Sequence, residues 1–202
     1  MRRKTFDLIL TAVGGMLLVV LLVAGVFLTI SANFANSQVK SQLAEQQITF
    51  PSAEAFAHAK PGTEITPSMI PSVSQYAGQQ LLTGPQAKAY ADNFIAVHLS
   101  EMPYGGVYSK ASAALQKDPT NAKLAAEVNT IFTGTTLRGL LLEAYAFSVF
   151  GEIASAAAIV AWVLAGVMLL LTVLGFWHYR KVSADEEFPA FLKEASHQEA
   201  TV

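Results

Sequence analysis

Two long stretches without a charged residue limit what this chain can fold into. Leu8 to Ile30 (LILTAVGGMLLVVLLVAGVFLTI) is 23 residues long, and Ile153 to Trp177 (IASAAAIVAWVLAGVMLLLTVLGFW) is 25. At 1.5 Å per residue, the shorter run makes a helix of roughly 35 Å, enough to cross a ~30 Å hydrocarbon core with some tilt. One such run fits the buried helix of a soluble protein; two argue for a pair of transmembrane helices. Arg2, Arg3 and Lys4 before the first run, and Ala32 and Ala35 after it, resemble the flanks of a signal peptide. A signal's apolar region is only about 7–15 residues, so this run reads as an anchor.

Composition agrees. Hydrophobic residues make up 52% of the 202, and charged ones only 14%, against about 25% charged in an ordinary soluble domain. A net charge of −2 leaves no basic footprint for nucleic acid. Without cysteine there is no disulfide framework, thiolate nucleophile or cysteine-bound metal.

The basic flanks set an expected orientation. Arg2, Arg3 and Lys4 precede the first run and Arg180 and Lys181 close the second, whereas Ser31, Asn33 and Glu152 flank the other ends. The positive-inside rule then puts both termini in the cytoplasm of a multi-pass plasma-membrane protein, with Trp177 and Tyr179 in the inner aromatic belt. The expected division is a cytoplasmic N-terminus (1–7), a first transmembrane helix (8–30), an extracytoplasmic domain (31–152), a second transmembrane helix (153–177) and a cytoplasmic tail (178–202).

The central segment carries seven basic residues against nine acids. Its periodic stretches are helical. Pro85 to Leu99 spaces Tyr90, Ala91, Phe94 and His98 for one helix face, with Pro85 suited to a first turn. Tyr108 to Lys117 reads as a short helix stopped near Asp118-Pro119. Asn121 is a credible N-cap for a helix carrying Leu124, Val128, Ile131 and Phe132. Phe34 to Gln47 continues the first run outward, Pro51 to Pro71 (with Gly62) is mostly loop, and Tyr104-Gly105-Gly106 is a corner. From Thr136 an apolar stretch leads into the second run, with a bend expected near Gly151. Tyr90, Phe94, Phe132 and Leu140 are expected core residues. The fold class is all-α: two transmembrane helices flanking an extracytoplasmic helical bundle.

Chemistry is hard to locate. His58, His98, His178 and His197 include no pair at the i,i+4 spacing of a helical metal site. There is no nucleophile elbow, phosphate-cradling glycine loop or HExxH motif. No catalytic, cofactor-binding or metal-binding residue is therefore assigned. His98, Glu143 and Glu152 are the weak functional candidates; a carboxylate held at membrane depth could relay protons, but Glu152 adjoins the run and both acids fit a solvated interface. Ala157, Ala161, Ala165 and Gly166 form a small-residue face on the second run, and Gly15, beside Gly14, offers a close-approach point on the first. Such a face either docks a partner's transmembrane helix or packs the two runs together. On the docking reading, a bulky residue at Ala161 would release the partner. In the tail, Ser183 with Glu186 resembles a capping box, and Phe188, Phe191 and Leu192 suit a membrane surface or a partner. Some twenty residues leave no room for a signalling output domain.

The phrases QLAEQQITFP (42–51), LLTGPQAKAYADNFIAVHL (81–99), YSKAS (108–112) and IFTGTTLRGLLLEAYAF (131–147) resemble a family of two-span actinobacterial membrane proteins. Its members often carry a ring-opening dioxygenase label, which this chain's two outer histidines, in unrelated positions, do not support. The family resembles the accessory subunit of the actinobacterial cytochrome bcc–aa3 respiratory supercomplex. That resemblance implies a cofactor-free, non-enzymatic subunit that stabilises or bridges larger integral membrane subunits, cytochrome bc and aa3-type oxidase subunits among them, within membrane lipid. The alternative is an extracytoplasmic ligand-binding or sensory module acting through a recruited partner.

Overall fold

The computed structural model describes residues 3–61 and 63–182. Arg2, the side chain of Arg3, Gly62 and the tail positions Ser183, Glu186, Phe188, Phe191, Leu192 and His197 lie outside the described residues. The described chain is helical, without strands. It divides into two compact units, Met1–Ile30 with Ala154–Val202, and Ser31–Ile153.

The long helices α1 (Arg3–Glu45) and α7 (Ala122–Lys181) each contribute to both units. Between them lie α2 (Ala53–Ala57), α3 (Ile70–Val73), α4 (Gly84–Tyr90), a π-helical turn (Ala91–Ile95), α5 (Ala96–Glu101), a 3₁₀ turn (Pro103–Gly106) and α6 (Tyr108–Lys117).

The first unit is a helical hairpin. Its apolar windows have mean hydropathies of 2.7 and 2.6, and only 6% and 17% of each is buried. A core helix of a soluble protein would be mostly buried. These helices are long and apolar enough to cross a membrane, and they present Leu, Val, Ile and Phe outward. The burial that exists centres on a line of positions spaced alternately three and four residues apart. On α1 its main line takes Lys4, Asp7, Thr11, Gly14, Leu18, Leu21, Gly25 and Leu28, with Gly15, Ala24 and Thr29 half-buried beside it; on α7 it takes Ala154, Ala158, Ala161, Ala165, Met168, Thr172, Gly175 and Tyr179, with Ala157 half-buried beside it and Val182 buried just past the helix. That spacing is the seam of an antiparallel helix pair, with Gly14 facing Thr172 and Gly25 facing Trp162. Glycines set its closeness: a Cβ on Gly14 would lie 3.1 Å from Thr172 Oγ1, one on Gly175 2.9 Å from Thr11 Oγ1, and one on Gly25 3.0 Å from the Trp162 ring. Trp162 Nε1 donates to Thr29 Oγ1 at 3.1 Å, which gives the indole N–H its partner, while the Thr29 hydroxyl itself donates to the Gly25 carbonyl at 2.7 Å.

The second unit packs short helices on the α1 and α7 segments it contains. Its core is Val39 and Leu43 of α1, Phe56 of α2, Val73 of α3, Phe50, Met69 and Leu81 of the loops, Ala87, Ala91, Phe94 and Ile95 of the α4–α5 segment, and Leu141 of α7. A bridge between Thr49 and Gln80, with Phe50 N donating to Gln79 O (2.9 Å) and Leu81 N to Ile48 O (2.8 Å), closes the base of the loop region. Rings run in series through the core: Tyr76 to Phe50 (5.2 Å), Phe50 to Tyr90 (5.4 Å), Tyr90 to Phe94 (4.7 Å) and Phe94 to His98 (4.7 Å). A smaller cluster joins Ala111 of α6 to Val128 and Ile131 of α7.

Local signals explain the helix ends. Thr83 caps α4 and Gln86 returns the bond to the Thr83 N–H, a complete capping box with Pro85 in the first turn. Asn121 Oδ1 accepts from Leu124 N at 3.0 Å, so Asn121 caps α7 as expected. Tyr104, Gly105 and Gly106 adopt φ of 61°, 63° and 68°, making the expected corner a left-handed run. A Cβ at Gly106 would lie 2.2 Å from the Leu99 carbonyl oxygen, so that position requires glycine on two counts.

Two expectations are corrected. No bend interrupts the helical assignment at Gly151: α7 is helical from Ala122 to Lys181. Gly151 instead provides close approach, since a Cβ there would meet Asn36 Oδ1 at 2.8 Å and Ala35 Cβ at 3.2 Å. Nor are Phe132 and Leu140 core residues. They are 52% and 58% exposed, and their neighbours Ile131 (0%) and Leu141 (2%) fill the core, because successive helix residues point about 100° apart.

Candidate functional site

The second unit has a groove of about 430 Å³ between residues 39–46, at the end of α1, and the α7 segment 137–147. Its floor is the outer side of the core: Val39, Leu43, Leu137 and Leu141. Leu140 and Phe147 (43% exposed) rise from α7 along one wall, and Gln42, Gln46, Glu45 and Glu143 give the lining its polar atoms. Leu140, Glu143 and Phe147 share one face by their spacing of three and four residues. Both charges on the lining are negative.

Beside it, α4 and its π turn are tied to α7 by charge. Asp92 accepts from Lys88, four residues back, and from Arg138 Nη2 of α7 at 2.7 Å. The Lys88 ammonium also lies 5.5 Å from the Tyr145 ring centre. Lys88 holds the Asp92 carboxyl below the usual carboxylate range; partial burial opposes this and Arg138 reinforces it. Burial pushes the Tyr90 phenol up, with Glu64 adding to it.

The pH dependence follows. A depressed carboxyl stabilises the fold above its unfolded-state value of about 3.9, and that stabilisation is lost as pH falls through the lower folded value. A raised phenol acts at the other end: its contribution is complete below about pH 10 and is lost as pH rises through the folded value. Asp92→Asn is expected to be less stable than wild type at pH 7, with the difference shrinking to nothing well below pH 4. Urea titration of the detergent-solubilised protein, followed by hydrogen exchange of peptides from 84–101, checks this. A pH-independent difference would mean that Asp92 stabilises by shape alone.

The sequence-selected residues do not converge. His98 Nε2 donates to the Glu64 carbonyl at 2.7 Å and its ring meets the Phe94 ring edge-on, so it fastens a loop to α5. Glu152 is exposed, and Glu143 is exposed on the groove. Among the described residues no group of three or more histidines and carboxylates is placed to hold a metal ion. Ala161 and Ala165 are buried on the hairpin seam, with Ala157 half-buried beside it and Gly15 half-buried on α1. A bulky residue at Ala161 therefore disturbs the chain's own hairpin before any partner. Gly166 is the member of the set left exposed, with open space where a Cβ would go.

Sequence reading missed the groove and the Asp92–Arg138 pair. Lys88 and Asp92 at i,i+4 were a legible signal for half of the latter; nothing in the sequence marks Arg138, 46 residues away, as the third member. Comparison with protein families, characterised proteins and solved structures finds no match to this chain.

Proposed function

We propose that this protein is a non-catalytic accessory subunit of a larger membrane complex, held by two transmembrane helices and adding contacts through an extracytoplasmic helical domain. The observation that carries the reading is the second unit's apolar groove, with Leu140 and Phe147 standing out on its wall. Large exposed apolar side chains around a concavity are a common mark of association. The hairpin supports the same reading, because its seam uses the small residues on one side and leaves long aliphatic faces for lipid or other helices.

The basic residues Lys4, Arg180 and Lys181 gather at one end of the hairpin. Lys181 Nζ lies 3.7 Å from the Trp177 ring centre and Lys4 Nζ 5.4 Å from that of Tyr179. This supports cytoplasmic termini and an extracytoplasmic central domain. The phrases resemble a two-span actinobacterial family, and that family's likeness to the bcc–aa3 accessory subunit makes the respiratory supercomplex the preferred host, with cytochrome bc and aa3-type oxidase subunits as partners.

Gentle-detergent purification of a C-terminally tagged copy, with mass spectrometry and an optical spectrum, tests this. Co-elution of cytochrome subunits with b-, c- and a-type haem bands is the expected result. A colourless preparation without those subunits overturns it. The second reading, a ligand-binding sensory module, is favoured by the groove's volume and predicts a small-molecule shift in thermal stability.

A further inference from the structure

We infer that the groove is the seat of a basic amphipathic helix from a partner subunit, whose apolar ridge fills the floor and whose Lys or Arg side chains pair with Glu45 and Glu143. This rests on the accessory-subunit reading and names the surface that does the joining. Shape and charge carry it together. The groove runs between two helix segments, α1 and α7, and a third helix laid along such a pair completes a three-helix layer. Its floor is apolar, and Leu140 and Phe147 stand ready to interdigitate with a ridge repeating every three or four residues.

The rim charges then select the occupant. Glu45 and Glu143 are both exposed, and among the described residues neither forms an ion pair or a side-chain hydrogen bond. A cationic helix meets opposite charge on both walls. A second copy of this chain, seated isologously, would instead bring four carboxylates to one apolar interface. An anionic lipid would meet the same repulsion. The chain's own residues 183–202, with Asp185, Glu186, Glu187, Glu194 and Glu199 against Lys193, are also mismatched.

The test is photo-crosslinking in native membranes, using the tagged full-length chain with benzophenone-alanine at position 140 and, as a control, at position 132. The expected adduct at 140 carries a peptide of another polypeptide with apolar residues at three- and four-residue spacing and Lys or Arg within one turn of them. Its yield should fall at least tenfold in the Glu45→Lys, Glu143→Lys double variant and less in Glu45→Gln, Glu143→Gln, which also serves if the reversal variant misfolds. A lipid-only adduct, an adduct to a second copy, a partner peptide without basic residues, no adduct, or a yield unmoved by both double variants overturns the inference. Co-purification is recorded on the same samples. If the subunits still co-elute, only the seat is wrong; if none co-elutes, the accessory-subunit reading falls as well.

Discussion

Gly84→Ala is expected to destabilise the second unit severely. A Cβ at this position would lie 1.8 Å from Ser148 Oγ and 2.5 Å from Ser148 Cβ, with Tyr145 Cα at 3.4 Å on the same side. Rotating Ser148 moves the hydroxyl but not its Cβ, and Ser148 is only 6% exposed, so α4 must lift away from α7. Overpacking of this kind costs about 1–3 kcal/mol, and lifting α4 also strains the Lys88–Asp92–Arg138 connection. Hydrogen exchange of peptides from 79–101 should rise, while peptides from the hairpin serve as an internal reference. Ser148→Gly supplies the cross-check. It costs roughly 0.5 kcal/mol by itself through helix propensity, yet Gly84→Ala added to it should cost little more, giving a coupling of about 0.5–3 kcal/mol. Additive losses would show that Gly84 serves some purpose other than approach to Ser148.

Phe50→Ala should have an effect of similar or greater size by the opposite route, a void. Phe50 is 2% exposed and its ring lies between Tyr76 and Tyr90, second in the aromatic series. Truncating a buried phenylalanine costs about 3–5 kcal/mol. It also follows directly on the Thr49–Gln80 bridge, so the base of the loop region should fray with it. Chemical denaturation read by exchange of peptides from 48–81 should show the loss, and Phe50→Leu, which keeps most of the volume, should lose less than half as much. Equal losses would point to the ring contacts, and not the filled volume, as the source of stability.

How far the fold could be read in advance depended on whether the signal was local. The α6 boundaries, Tyr108–Lys117, fall where the Asp118-Pro119 stop and the apolar spacing put them. The Asn121 cap and the outward continuation of α1 to Glu45 were equally legible, since each rests on chemistry within one helical turn. Gly151 was misread because glycine breaks a helix or lets another helix approach, and only the facing Asn36 and Ala35 decide which. Phe132 and Leu140 were misplaced because a helix apolar on most sides does not declare which face is covered. The site was least legible. Its walls come from segments about a hundred residues apart, and nothing local shows that Val39, Leu43, Leu137 and Leu141 line a groove as well as the core. Glu143 was singled out for its apolar surroundings; its place on the rim, opposite Glu45's helix, was not foreseeable.

The hairpin's alternation of three and four has a consequence that concerns counting more than chemistry. From Lys4 to Leu28 and from Ala154 to Tyr179 the seam returns every seven residues, so each position is specified by its phase. Most single replacements on the outward faces leave that phase untouched. Adding or deleting one residue turns everything beyond it by about 100°, sending Gly14 or Ala161 outward and bringing a leucine or valine into a gap sized for nothing larger than a methyl group. The two apolar helices therefore tolerate wide drift in spelling and almost none in length, except by whole multiples of seven.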